Sequence, residues 1–283
     1  MTSLTPRQRV LTALNREEPD QVPFEFFLGL TPSLMETFVA KTGHLDPAEY
    51  WNVPVRSVSH RPAPVSILWR TYARYYPTQL PAGSSISSFG VVGTYGSAEH
   101  FQRKLFPLKD ATRVEEAVDY PLPDPTNPAR HAHLKPMTEA LQARDLAVQG
   151  ELYVTIFETA WSIRGFEEML TDLVLHPDFA EALFERLTAL RLAEAQQLAR
   201  AGVDVLRLGD DVASQAGMLM SPALWRSWFK PRMARIIAAA KAIKPDIHLF
   251  YHSDGNCRAI VPDLIEIGIT VLNPVQPECM DPA

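Results

Sequence analysis

The sequence predicts an α/β fold of the (β/α)8 barrel type, and three observations carry that prediction. From residue 146 onward, each short apolar run is followed by an amphipathic, helix-like stretch. The runs lie too far apart for hairpins, so they are expected to pair in parallel through right-handed crossovers. No glycine-rich phosphate loop follows any of them, which removes the strongest mark of the open nucleotide-binding sheets and favours the barrel.

The elements follow in order. Thr5-Pro6, Thr31-Pro32 and Ser221-Pro222 each place a capping residue before proline, the pattern of a helix start. The first helix carries Val10, Leu11 and Leu14 on one face and stops before Pro19, and "QVPFEFFL" (21–28) reads as a short buried strand. A second helix runs from Thr31 to about Gly43, and residues 53–59 give the next strand. Residues 84–106, with "GVVGTYG" inside, read as a glycine-turn hairpin that departs from the regular pattern. Pro121, Pro123, Pro125 and Pro128 mark an extended connection. "LYVTIF" (152–157) is the next expected strand, followed by a helix carrying Phe166, Met169, Leu170 and Leu173 and by a long helix from about Asp178 to Ala201, with Gly202 suited to its C-cap. "DVLRLG" (204–209) precedes a helix pair broken at Pro231, "IHLFYH" (247–252) precedes another helix, and "TVLNP" (270–274) is the last strand.

With 283 residues, 46% hydrophobic and 21% charged, the chain can bury a sizeable core and is read as one domain over residues 1–283. A net charge of -6 with no basic run disfavours nucleic acid and anionic membranes as partners. Two cysteines make no disulfide framework. With no signal-peptide pattern and no apolar run of roughly 20 residues, this points to the cytoplasm.

In a barrel the catalytic groups lie at the C-terminal ends of strands. Glu158, Asp211, His252 and Asn273 fall there on four successive expected strands and form the candidate catalytic set. The alternative for any one of them is that of a cap or turn residue. An arginine does not suit the apolar helix layer, so Arg207 is expected to point into the barrel, and alternation then turns Asp211 toward the mouth above it as a charge partner, while Asp210 turns toward backbone amides. Arg164, Arg207, Asp210, Gln215 and Gln276 are candidates for substrate contact. In "FYHSDGNC", His252, Asp254 and Cys257, with Cys279 further on, are of metal-ligating type, although spacing alone does not show that they converge.

"TPRQRVLTALNREEPDQVPFEFF", "LRLGDDVASQAGMLMSPALWRSWFKPRM", "HSDGN" and "VLNPVQPECMDP" together resemble the uroporphyrinogen decarboxylase family, which includes the corrinoid-linked methyltransferases. The resemblance runs from Thr5 to Pro282 and implies a (β/α)8 barrel whose cleft admits a tetrapyrrole or a corrinoid-carrying partner. In the decarboxylase branch, arginines after the first strand pair with the substrate's carboxylates. Here "EFFLGLTPSLM" has none, and Glu25 would repel a polycarboxylate. The methyltransferase branch implies zinc on a His-x-Cys motif plus a distant cysteine, where this sequence has His252-Ser253-Asp254.

The reading that follows is methyl transfer to or from a corrinoid (cobalamin) protein. Glu158 and Asp211 would act as acid/base groups, His252 as metal ligand or proton donor, and Asn273 as an orienting partner. The second reading is porphyrinogen decarboxylation with Arg164 and Arg207 holding carboxylates, and the third is a non-catalytic chain that binds a tetrapyrrole or a partner subunit. Only six strands are expected, so the chain is either a piece of a longer protein or needs another chain, such as a second copy in a homodimer, to cover the open edges.

Overall fold

The computed structural model describes residues 3–27, 29–77, 79–95 and 102–281. Its first helices begin where a capping residue precedes proline. Thr5 and Gln8 close a capping box on α1 (Pro6–Leu14). Thr31 precedes α2 (Pro32–Thr42), which ends at Gly43 in the left-handed region, and Asp46 caps the one-turn α3 (Pro47–Tyr50). β1 (Val55–Val58) and α4 (Val65–Tyr72) follow.

The expected hairpin is a three-stranded antiparallel sheet of β2 (Ser85–Ile86), β3 (Val92–Tyr95) and β4 (Gln102–Leu105). Its 96–101 connection lies outside the described residues. Three short helices, α5 (Val114–Val118), α6 (Pro128–His131) and α7 (Leu134–Gln142), lead to β5 (Ala147–Leu152). Then come α8 (Phe157–Arg164), α9 (Phe166–Leu175) and the long α10 (Pro177–Ala201), closed by Gly202 at φ 84°. β6 (Val205–Gly209) is followed by a small hairpin of β7 (Ala213–Ser214) and β8 (Gly217–Met218). Next are α11 (Pro222–Trp228), capped by Ser221, and α12 (Lys230–Lys241). β9 (His248–His252), α13 (Val261–Glu266) and β10 (Val271–Asn273) complete the chain.

The main sheet is parallel throughout, in the order β1-β5-β6-β9-β10. Each new strand adds beside the last, always on the same side. This is the winding of a barrel, and it contains no reversal of strand order like the one at the centre of a doubly wound sheet. The fold is therefore α/β and TIM-barrel-like. Among the described residues, five strands form the sheet, which does not close; β1 and β10 are its edges.

Two expected strands differ. Residues 22–27 form no ladder, yet the segment lies against the sheet's inner face, where Gln149 Nε2 donates to Glu25 Oε1 at 2.8 Å. The strand expected at 152–157 lies instead at Ala147–Leu152. The inward face of "AVQGEL" carries Gln149 and Glu151, and polar side chains there hide the strand from an apolar-run search. On its other face, Gly150 lets α10 approach closely, since a Cβ at that position would stand 2.9 Å from Leu198 Cδ2. The apolar "TIF" that follows turns out of the sheet and into α8.

Candidate functional site

The site is built where β6, β9 and β10 end together. Gly209, His252 and Asn273 share one register level across these strands. Gly209 is required for that close approach, because a Cβ on it would meet the His252 carbonyl oxygen at 2.7 Å and the His252 Cβ at 2.8 Å.

Beyond Gly209 the two aspartates part. Asp210 is buried, and its carboxylate accepts from the amides of Ile156 (3.0 and 3.2 Å) and Glu158 (2.9 Å) at the start of α8. Burial outweighs those hydrogen bonds and pushes its pKa up to about 6. Asp211 faces the mouth, where its Oδ1 accepts from the Asp254 amide at 2.8 Å. Its own amide donates to Glu158 Oε2 at 2.9 Å. Burial, reinforced by the neighbouring Asp210 charge, pushes the Glu158 carboxyl up to about 8.

His252 sits between the two ends of this arrangement. Its Nδ1 lies 2.7 Å from Asn273 Oδ1. With that oxygen as acceptor, Nδ1 carries the proton and Nε2 presents a lone pair. Nε2 lies 3.6 Å from Asp211 Oδ1 and 3.8 Å from Asp254 Oδ1. Among the described residues, Asp211, His252 and Asp254 are the group able to hold a metal, with one donor atom from each lying within 4.8 Å of the others. Beside them opens a cavity of ≈ 490 Å³ lined by Glu25, Phe26, Phe27, Tyr153, Arg207 and His252, among others.

The structure brings Asp211, His252, Asn273 and Glu158 together, though Glu158 arrives from the first turn of α8 rather than from a strand end. Other expected site residues lie elsewhere. Arg164 is buried against Asp172 at 2.7 Å and donates to the carbonyls of Leu108, Lys109 and Ala111, so it braces the α8–α9 junction. Gln215 is exposed in the β7–β8 turn. Gln276 Oε1 accepts from the Gly255 amide at 2.5 Å and ties the 276–280 turn to the loop after β9. Cys257 and Cys279 stand outside the metal-capable group. Gly255 (φ 80°) turns the chain so that Cys257 packs into the apolar core, and Cys279 Sγ donates to the Gln276 carbonyl. Arg207 faces inward as expected, but the acid beside it is Glu25 at 3.6 Å, not Asp211. Tyr153 and Phe27 were not singled out from the sequence. Tyr153 follows β5 directly, so a correctly placed strand end would have found it.

The sequence over residues 113–275 matches the profile of the family described as uroporphyrinogen decarboxylase (URO-D). A solved structure described as a methyltransferase from Methanosarcina mazei is similar over 95% of this chain and 76% of that one, with a TM-score of 0.60 and 17% identity. At that identity the similarity speaks for the fold. No curated protein matches the sequence. No helix among the described residues is long and apolar enough to cross a membrane.

Proposed function

The chain belongs to the uroporphyrinogen decarboxylase family, and on that premise we propose that it is a metal-dependent enzyme moving a methyl group to or from a corrinoid protein. The observation that carries the reading is the meeting of Asp211, His252 and Asp254 at the C-terminal edge of the sheet, beside an open cavity. The donor set suits a divalent cation such as zinc. Two ligands about 2.0–2.1 Å from a tetrahedral zinc stand roughly 3.4 Å apart, and the two separations from His252 Nε2 are 3.6 and 3.8 Å. Two carboxylates balance a dication's charge, and Asn273 holds the imidazole in the tautomer that leaves Nε2 free. When bound, such a cation lowers the pKa of a coordinated thiol or hydroxyl and so makes it a better methyl acceptor.

The remaining groups have roles of their own. Asp210 anchors α8 and thereby fixes Glu158 beside the Asp211 amide. In the metal-free protein, with its pKa near 8, Glu158 holds a proton at neutral pH, and a cation bound at Asp211 would draw that value down. A proton donor at this position suits the direction in which a methyl group leaves a small molecule and the heteroatom left behind is protonated. Decarboxylation of a polycarboxylate porphyrinogen has less support. Arg164 is committed to Asp172, and among the described residues Arg207 is the one cation lining the cavity.

The test is to mix the protein with a methylated corrinoid and a small thiol as methyl acceptor, or with a reduced corrinoid and a methyl ether as methyl donor, and to follow the cobalt absorption bands, with zinc and with a chelator. Zinc-dependent spectral change is expected in the wild type and in Cys257→Ser and Cys279→Ser, and its loss is expected in Asp211→Asn and Asp254→Asn. No spectral change with zinc present, or release of carbon dioxide from uroporphyrinogen, would overturn the reading.

A further inference from the structure

Arg207 is the group that the chemistry above leaves without a role. It stands on β6 level with Glu151 and Phe250 of the adjacent strands and is 3% exposed. Its guanidinium carbon lies 3.5 Å from the Phe27 ring centroid, with Phe250 at 4.9 Å and Tyr153 at 5.0 Å. Nε and Nη1 are buried and have no hydrogen-bond partner. Glu25 Oε1, at 3.6 Å from Nη1, is beyond hydrogen-bonding reach and is held instead by Gln149. Buried guanidinium donors left unmade are costly, so a partner is expected, and the cavity that Arg207 lines is where one can enter.

We propose that Arg207 is the anion-recognition group of this cavity and that the substrate is a small monocarboxylate with a flat or apolar body. The N–H edge of the guanidinium matches a carboxylate, while Phe26, Phe27 and Tyr153 receive the apolar part. A molecule held this way extends toward His252 and Asn273, which line the same cavity. One arginine matches one carboxylate. Glu25 and the cross-strand Glu151 already give that arginine acidic neighbours, so an incoming carboxylate competes with them. The inference deepens the proposed methyl transfer by naming its small-molecule partner, and it rests on that reading for the reaction but not for the binding.

The experiment is calorimetric titration of the metal-free protein, in chelator, with benzoate and with its neutral isostere benzamide. Benzoate is expected to bind at least about tenfold more tightly than benzamide, the scale of a hydrogen bond to a charged group. Arg207→Met should remove that preference, Arg207→Lys should keep only part of it because it retains charge without the fork, and Glu25→Gln should strengthen benzoate binding. Thermal melts confirm that each variant is folded. Benzoate binding no tighter than benzamide, wild-type benzoate affinity in both Arg207 variants, or weaker benzoate binding in Glu25→Gln overturns the proposal. Zinc titration of the same variants keeps the two readings apart. Intact zinc binding without carboxylate preference refutes only the anion site, and carboxylate preference without zinc binding refutes only the metal reading.

Discussion

Substituting Gly209 by alanine perturbs the site through a single methyl group. The new Cβ would stand 2.7 Å from the His252 carbonyl oxygen, 2.8 Å from its Cβ and 3.1 Å from its nitrogen. Ordinary contact begins near 3.4 Å, so the closest approach falls short by about 0.7 Å. Side-chain rotation cannot relieve this, because two of the three atoms are backbone and the Asp210 amide donates to that same carbonyl at 3.1 Å. The end of β9 must therefore move away from β6, carrying Nε2 away from Asp211. Overpacking of this kind costs about 1–3 kcal/mol of stability. The displaced ligand should lose about 10–100-fold in metal affinity, the scale seen when the support of a ligand is removed. Zinc competition against a chromophoric chelator, with urea denaturation in parallel, reads both effects. Gly202→Ala is the control: it sits at φ 84° with open space around the missing Cβ, so strain lowers stability while zinc affinity is unchanged. A folded Gly209→Ala protein with wild-type zinc affinity would refute the claim that this glycine positions His252.

Three further outcomes are expected. Glu158 ionises at about 8 when folded against an ordinary 4.5, so the native state keeps a proton that the unfolded chain releases. Stability therefore falls as pH rises between those values, and Glu158→Gln should flatten the decline in urea melts. Arg164→Met leaves Asp172 buried without its cation and should cost about 3–5 kcal/mol in denaturant titration, with zinc and benzoate binding unchanged; altered ligand binding would return Arg164 to the site. Asn273→Ala should weaken zinc binding by about 10–100-fold, and should broaden or shift the His252 Nδ1 proton resonance if that nitrogen donates as inferred.

The second half of the fold was legible because its strands read as short apolar runs: β6 is buried throughout, β9 over its three central residues, and β10 is half-buried. The expected 204–209, 247–252 and 270–274 appear as Val205–Gly209, His248–His252 and Val271–Asn273. β5 was misplaced because Gln149 and Glu151 face inward, where they meet Glu25 and Ser57. The charge of Arg207 sent it inward, and period-two alternation from there was enough to send Asp210 toward backbone amides. It could not supply Arg207's neighbours, since Glu25 and Phe27 come from a segment without regular structure far back in the chain. Nor could residue type separate Asp254 from Cys257 as a metal donor. The left-handed turn at Gly255 sends one toward His252 and the other into the core.

The carboxylates of Asp210 and Glu158 are crossed. The first grips the amides that open α8, and the second grips the amide of the residue after Asp210. The loops leaving β5 and β6 are thus clasped from both sides and should swing, if they swing at all, as a single rigid lip. Deuterium uptake at Ile156, Glu158 and Asp211 should accordingly proceed in step, and protonating Asp210 below about pH 6 should weaken its hold on the α8 amides and loosen all three positions together.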